Sequence, residues 1–145
     1  MKITSSAFSH NQNIPSKYTC DGGNISPPLS IGEVPATAKS LVLIVDDPDA
    51  PGGDFSHWLV WNIDLQIEEI GEGGVLAGSV SGTNDFGKTG YGGPCPPGGT
   101  HRYFFKIYAL DTTLDIPAKS EKQELLNAIS PHILDQGELI GLYGR

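Results

Sequence analysis

Five residues with titratable side chains stand beside apolar segments of the chain, where loops can bring distant residues to one edge of a sheet. They are Asp47, Asp49, His57, His101 and Tyr103. The two aspartates lie in the sequence DPDAP, whose prolines fix φ and remove backbone donors, so this loop is expected to be stiff. Each residue taken singly is more often structural, because aspartates end turns and histidines or tyrosines pack in cores. Their coincidence at the ends of apolar segments favours a shared site.

Two aspartates and two histidines together fit two kinds of chemistry. Imidazole and carboxylate both suit a divalent metal such as zinc or manganese. Alternatively, a carboxylate that accepts a hydrogen bond from an imidazole raises the pKa of the ring, favours imidazolium and turns its other N–H outward. Two such imidazoliums, a tyrosine hydroxyl and the N–H groups of a glycine-rich loop would hold a phosphate or a carboxylate. Apolar walls, Trp58 and the prolines, would hold the rest of the ligand.

Apolar segments predict the strands that position these residues. Residues 39–47 form a continuous apolar run that ends in acids, which is typical of a strand buried on both faces. Further buried strands are predicted at 56–63 and 101–110, and outer strands at 2–8 and 139–143. Because two prolines three positions apart must turn the chain sharply, we expect cis geometry at the Asp47–Pro48 and Ala50–Pro51 bonds.

One segment late in the sequence predicts a helix. Ser120 is placed as its N-cap and Gln123 completes a capping box. Its apolar face consists of Leu125, Leu126 and Ile129. A short second helix is predicted from Ser130, with Pro131 at its permitted first position. Three long irregular segments are expected to carry function or to cover the core, at 14–35, 47–55 and 71–99.

Composition limits the class of fold. The chain has 145 residues, a length that suits one domain over 1–145. Its 19 glycines and 11 prolines interrupt helices too often for an all-α fold, and they show no collagen period. Recurring apolar clusters argue against disorder. What remains is a mostly β domain with long loops.

Charge and hydropathy limit the class of partner. The net charge is −8 and the basic residues are scattered, so we expect no nucleic-acid binding. The longest purely aliphatic run, residues 41–45, is too short to cross a membrane, and the first six residues lack the apolar stretch of a secretory signal. We therefore expect a cytoplasmic protein, or a mature chain from which a leader is missing.

The two cysteines, Cys20 and Cys95, are 75 positions apart, which fits neither a zinc knuckle nor a redox pair. In a reducing compartment we expect two buried thiols. A disulfide stays open as the alternative, because both cysteines lie in loops rich in glycine and proline that could meet.

Residues 82–89, GTNDFGKT, match the spacing of the phosphate-binding loop GxxxxGKT. That loop needs a buried strand before it and a helix after it, whose first turn faces the phosphate. The following residues, GYGGPCPPGG, cannot be helical, so we interpret the match as accidental.

Several blocks of sequence carry a family resemblance. DPDAP at 47–51, HWLVWN at 57–62 and GPCPPGGTHRY at 93–103 resemble the signature blocks of the phosphatidylethanolamine-binding proteins, also called Raf-kinase-inhibitor-like proteins. TCDGGNISPPLS at 19–30, YGGPCPP at 91–97 and ELIGLYGR at 138–145 resemble the short prokaryotic-type branch. The similarity covers nearly the whole chain in one order, which makes it far more specific than a lone motif.

The resemblance implies an antiparallel β-sandwich with one or two short peripheral helices late in the chain. It also implies a small pocket, with no cofactor, for anions such as the phosphoryl head of a phospholipid. Matching motif positions place Asp47, Asp49, His57, His101 and Tyr103 in the pocket, and Pro51, Pro94 and Trp58 at or near its rim. Animal members add a C-terminal helix that is absent here, so a more open pocket is expected. Members of the short branch are often homodimers.

We therefore expect a non-enzymatic protein that binds a small anion or a phosphorylated group. Relatives restrain kinases or inhibit serine proteases, so an inhibitor that acts through an exposed loop such as residues 71–90 is the alternative. A metal-dependent hydrolase is the third hypothesis. It is less favoured because the sequence contains no ligand pair at metal-binding spacing and no evident activated nucleophile.

Overall fold

The computed structural model describes residues 1–74 and 76–145, and most of its regular structure is β. The strands are β1 (Lys2–Thr4), β2 (Gln12–Asn13), β3 (Leu29–Gly32), β4 (Ser40–Asp47), β5 (Phe55–Ile63), β6 (Glu69–Ile70), β7 (Val80–Ser81), β8 (Thr100–Leu110) and β9 (Ile133–Gly144). One α-helix of the described residues, α1, spans Lys122–Ile129. Short 3-10 turns cover Ser16–Tyr18 and Ser130–His132.

The strands form two sheets. The larger sheet has the order β2-β9-β8-β4-β5-β7, and the smaller one has the order β1-β3-β6. Neighbouring strands are antiparallel, except for the two-residue pair of β2 and β9, which is parallel. Strand β4 lies between β5 and β8, and all eight of its residues are buried. This central position explains its uninterrupted apolar sequence, and the predicted mostly β fold is confirmed.

Each face of β4 packs in a different layer. Alternate side chains, Leu41, Leu43 and Val45, enter the main core between the two sheets. The opposite face carries Val42 and Ile44, which pack with Leu59 and Trp61 of β5 against Leu125 and Ile129 of α1. The larger sheet is therefore covered on one side by the smaller sheet and partly on the other by the helix.

Two outer strands differ in length from their predictions. Strand β1 ends at Thr4, because the Ser5 hydroxyl donates to the Pro28 carbonyl at 2.6 Å and accepts the Ala7 N–H at 3.1 Å. Strand β9 begins at Ile133, well before residue 139, since it pairs with β8 along its full length. Cross-strand pairing thus overrides the polar sequence of its first half.

The helix starts one residue later than predicted. The Ser120 hydroxyl donates to the Pro117 carbonyl at 2.5 Å, so it cannot serve as the cap. Glu121 is the N-cap and forms the capping box with Glu124, in place of Ser120 and Gln123. Within the described residues, no helix is long and apolar enough to cross a membrane.

The expectation of cis prolyl bonds after Asp47 and Ala50 was wrong. No cis peptide bond occurs among the residues that the structure describes. The turn is made by other means: Asp47 Oδ1 accepts the Asp49 N–H at 2.8 Å, and Gly53, at φ +100°, donates its N–H to the Ala50 carbonyl at 3.0 Å. A side-chain hydrogen bond and a glycine with positive φ are sufficient to reverse the chain with trans bonds.

The expectation of two buried thiols was also wrong. Cys20 and Cys95 form a disulfide with a Cα–Cα distance of 5.4 Å, and the Cys95 residue is exposed. A hydrogen bond from the Cys20 N–H to the Pro94 carbonyl, at 3.1 Å, aligns the two loops. The bridge joins the segment before β3 to the segment that leads into β8.

Candidate functional site

A cavity of about 150 Å³ opens where β4 ends and where β5 and β8 begin. Among the residues predicted for the pocket and its rim, the cavity is lined by Asp47, Pro51, His57, His101 and Tyr103. The rest of its wall comes from Ala50, Phe55, Phe86, Cys95, Pro96 and Pro97. A few polar groups therefore lie within a largely apolar wall, which is typical of a small-molecule site.

Asp47 and His101 form the polar pair on the wall of this cavity. The distance between His101 Nδ1 and Asp47 Oδ2 is 2.6 Å, and both side chains are buried. An ionised carboxylate can only accept hydrogen bonds, so the ring proton lies on Nδ1. Since Asp47 Oδ1 also accepts the Asp49 N–H, the carboxylate is held from two sides. The pair fixes the orientation of the His101 ring and leaves Nε2 for a ligand.

A β-bulge brings His57 into the same site. Val45 pairs with Trp58 and Asp46 pairs with Ser56, so His57 is the extra residue of β5. A bulge breaks the strict alternation of side chains and re-aims the residue that it carries. The His57 ring lies 5.3 Å from the Tyr103 ring, centroid to centroid.

His57 lacks the carboxylate partner that His101 has. Its Nδ1 donates to the Gly92 carbonyl at 2.6 Å. Burial lowers the pKa of His57, and this effect exceeds the opposing effects of the Gly92 carbonyl and of nearby carboxylates, Asp47 foremost. The ring is therefore neutral near pH 7, and its Nε2 can accept a hydrogen bond. The expectation of two imidazoliums, each supported by an aspartate, was wrong for His57.

Tyr103 lies between the two histidines at the base of the cavity. It is almost fully buried, and its ring centroid is 6.4 Å from that of His101. Burial, then the charge of the Asp47 carboxylate and a hydrogen bond to it, raise the pKa of the Tyr103 phenol, so the hydroxyl keeps its proton at neutral pH. Tyr103 is thus a neutral hydrogen-bond donor.

Asp49 does not line the cavity. Its carboxylate accepts hydrogen bonds from the Nε–H and Nη2–H groups of Arg102, at 2.9 and 2.8 Å, and from the Arg102 backbone N–H at 3.0 Å. The Arg102 side chain, followed by the hydrogen bond from its backbone, holds the pKa of Asp49 at about 2 against the effect of desolvation. Asp49 therefore anchors the DPDAP loop to β8.

Trp58 and Pro94 also lie outside the cavity. Because Trp58 follows the bulged His57, its ring packs against Tyr91, at 5.4 Å, and borders a separate hollow of about 330 Å³. Pro94 is buried behind the wall, and its carbonyl accepts the Cys20 N–H. These two residues support the loops around the candidate site.

Phe86 is a rim residue that the sequence reasoning missed. Its side chain is 44% exposed, and its ring lies 4.8 Å from Phe55 and 5.3 Å from His57. The turn that carries it is capped by buried Asn84, whose Oδ1 accepts the N–H groups of Phe86 and Lys88. The GTNDFGKT segment is therefore a capped turn. The sequence signal that could have identified Phe86 as a rim residue is a single phenylalanine within this otherwise polar loop.

The histidines and carboxylates of the site match neither a metal centre nor an activated nucleophile within the described residues. Within residues 1–74 and 76–145, no group of three or more His, Cys, Asp or Glu side chains is arranged to hold a metal ion. In the same residues, neither pocket histidine forms a hydrogen bond with a Ser, Thr or Cys side chain. In these residues, the two histidines therefore lack the nucleophile–base hydrogen bond that marks an activated serine, threonine or cysteine.

Comparisons with known proteins identify the family of the chain. The family model for the phosphatidylethanolamine-binding protein matches residues 4–144. The chain belongs to this family. A relative named UPF0098 protein, from Methanothermobacter thermautotrophicus, is 51% identical over 150 residues that cover 100% of this chain and 99% of the relative. A UPF0098 protein from Chlamydia trachomatis is 46% identical, with the same coverage.

Two solved structures show the same fold as this chain. A homologue of the family from Chlamydia trachomatis superposes with a TM-score of 0.95 at 45% identity, covering 99% of this chain and 96% of the other. Escherichia coli YbcL, described as a member of the mammalian family, gives a TM-score of 0.93 at 31% identity, with coverage of 99% and 98%. The family resemblance is confirmed, and membership supports a binding protein of this fold.

Proposed function

We propose that this member of the family is a non-enzymatic binder of small anions, with phosphoryl groups as the preferred class. The observation that carries the proposal is the buried Asp47–His101 pair, which faces a small cavity together with Tyr103. A protonated His101 offers Nε2–H to an anion while Asp47 compensates its charge inside the wall. The Tyr103 hydroxyl is a second donor, and hydrogen bonds to a charged group contribute about 1.5–3 kcal/mol each.

An anion that contacts His57 must share a proton with it. Its neutral ring presents Nε2 as an acceptor, which a fully ionised anion cannot satisfy. A phosphate monoester has a second pKa of about 6, so near neutral pH it can supply an O–H to this nitrogen. Alternatively, the ring takes up a proton as the anion binds. In both cases the complex contains a proton between His57 and the anion that is absent when a neutral ring and a dianion are free in solution at high pH. Binding therefore takes up a proton, so the affinity falls as pH rises.

The size and the apolar rim support a headgroup-sized ligand. The cavity, about 150 Å³, is smaller than the roughly 300–1,000 Å³ of most ligand pockets. Its rim includes Pro51, Phe55 and Phe86, which offer contact to short carbon chains or rings next to the phosphoryl group. We therefore propose a phosphate monoester, or the exposed headgroup of a phospholipid, as the ligand.

Calorimetric titration with O-phosphoethanolamine tests this function. His101→Ala removes the charged donor, so we expect the affinity to fall about tenfold or more. His132→Ala is the matched control, because His132 also pairs through Nδ1 with an aspartate, Asp111, at 2.8 Å but on the exposed surface. It should bind like the wild type. Wild-type affinity in His101→Ala would reject the proposed site.

Other expectations from the sequence stay predictions. They are the absence of catalysis, the inhibitor role of residues 71–90, the homodimer and the cytoplasmic location. The Cys20–Cys95 disulfide bears on the location, since such bonds persist in oxidising compartments and in the cytosol of hyperthermophiles. The location can be tested by fractionating the source cells and detecting this protein in each fraction.

A further inference from the structure

The disulfide borders the candidate anion site. The Cys95 side chain lines the cavity, and so do the two residues that follow it, Pro96 and Pro97. Cys20 lies in the opposite loop, whose backbone meets this segment at Pro94. One wall of the site is thus tied to a distant part of the chain through a bond that thiols can break.

Residues 95–98 are tied to the opposite loop by this bond, and otherwise they are held by packing, since Pro96 is buried. In the described part of the chain, none of these four residues takes part in a hydrogen bond. The anchors lie on either side: the Gly93 N–H donates to Asn24 Oδ1 at 2.8 Å, and Gly99 exchanges backbone hydrogen bonds with Arg145. Between these anchors, the disulfide is the covalent tether of the wall, so its cleavage would free that wall locally.

The two sulfur atoms differ in their surroundings. Cys95 is exposed, whereas Cys20 is partly buried and its Sγ lies 3.2 Å from Nη2 of Arg145. A guanidinium next to sulfur stabilises the thiolate, and a sulfur that is stabilised as thiolate is the better leaving group. Asp21 also binds this guanidinium, and Tyr143 donates to the Asp21 carboxylate at 2.5 Å. The cation is therefore shared with Asp21, but its N–H still points at the Cys20 sulfur.

We propose that the Cys20–Cys95 bond is a reduction site for a dithiol reductant, and that its reduction weakens the anion site. The reductant's thiolate attacks Cys95 Sγ and forms a mixed disulfide. The Cys20–Cys95 bond breaks, and its electron pair leaves on Cys20 as a thiolate beside Arg145. The second thiol of the reductant loses its proton to water and attacks the reductant sulfur that is bonded to Cys95. This step closes the reductant's own disulfide and releases the Cys95 thiolate. The dithiol is oxidised to a disulfide by two electrons, and the cysteine pair is reduced by two.

The site of attack can be measured without any ligand. The oxidised protein is treated with glutathione, a monothiol, free thiols are alkylated, and the mixed disulfide is mapped by mass spectrometry. We expect glutathione on Cys95, and glutathione predominantly on Cys20 would overturn the assignment. Arg145→Met should reduce the rate of cleavage several-fold. Arg102→Met is the matched control, because Arg102 is also an exposed arginine paired with an aspartate, yet it has no contact with sulfur. Equal rates in the wild type and both variants would overturn the role of Arg145.

The effect on the site rests on the proposed function, so it needs two measurements. Hydrogen exchange at Cys20 and in the peptide 92–103 is compared between oxidised and reduced protein, with β4 as the internal control. Because residues 95–98 have no hydrogen-bonded N–H of their own among the described residues, we expect faster exchange after reduction at the N–H groups that flank the wall, those of Cys20, Gly93 and Gly99. Titration with O-phosphoethanolamine should then show weaker binding to the reduced form. If the oxidised form does not bind, the proposed function fails, and the exchange data still decide whether the wall is released. Unchanged exchange, or equal affinities of both forms, would overturn the redox control.

Discussion

At the scale of single residues, Asp47 has two roles that sequence reasoning treated as alternatives. One carboxylate oxygen closes the turn after β4, and the other holds the His101 ring. The same buried side chain therefore serves the backbone and the candidate site. A change at this position should affect stability and binding together, because both partners lose the acceptor.

Asp47→Ala is expected to lower the free energy of unfolding by about 1–3 kcal/mol, since it leaves the buried His101 N–H and the Asp49 N–H without their acceptor. Urea unfolding measures this change. Asp111→Ala removes the corresponding aspartate from the exposed pair with His132 and should cost less than about 0.5 kcal/mol. Equal losses in the two variants would contradict the role given to burial.

His57 contributes to the pH dependence of binding. Burial lowers the pKa of His57 below the ordinary histidine pKa of about 6.5. As the pH rises, the free protein therefore loses this proton earlier than an exposed histidine would. Sulfate is the informative probe because, unlike phosphate, it does not titrate in this range and cannot bring a proton. We expect sulfate affinity to increase as pH falls from about 8 to about 5.5, while His57 becomes protonated. A flat profile, measured by calorimetry, would show that His57 takes no part.

At the scale of elements, the bulge in β5 and the loop at 92–94 assemble the site. The bulge turns His57 toward Tyr103, and the loop places the Gly92 carbonyl where His57 Nδ1 donates to it. The same loop approaches the backbone of the segment 18–19 so closely that a Cβ at Gly93 would overlap the Tyr18 carbonyl oxygen. Close backbone approach explains why glycine occupies this position.

Gly93→Ala is therefore expected to destabilise the protein by about 1–3 kcal/mol, because backbone must shift to admit the methyl group. The displaced loop should also weaken phosphate binding through the Gly92–His57 hydrogen bond. Gly98→Ala is the control in the same segment, since a Cβ there meets nothing within 4 Å. Thermal unfolding of both variants measures the difference, and similar melting temperatures would refute the close approach.

Sequence patterns predicted the elements better than the contacts between them. The central strands were predicted because burial on both faces of β4 leaves an uninterrupted apolar run. The bulge at His57 has no such signal, since it depends on pairing between β4 and β5. For the same reason, the sequence could not separate Asp49, which pairs with Arg102, from Asp47, which pairs with His101.

At the scale of the whole molecule, the negative net charge of the protein repels the anions that we propose as ligands of the candidate site. The net charge is −8, and among the residues that the structure describes, no lysine or arginine lines the cavity. Long-range steering therefore does not favour anions, and affinity must come from close hydrogen bonds inside a small, partly apolar cavity.

The central claim is that His57 and His101 contact one bound anion. The most direct test is NMR of the histidine rings during titration with O-phosphoethanolamine, because the chain has four histidines and two of them, His10 and His132, lie outside the cavity. The account predicts that the His57 and His101 resonances shift and saturate with one dissociation constant, while those of His10 and His132 stay in place. Unshifted His57 and His101 resonances, or equal shifts in all four rings, would contradict it.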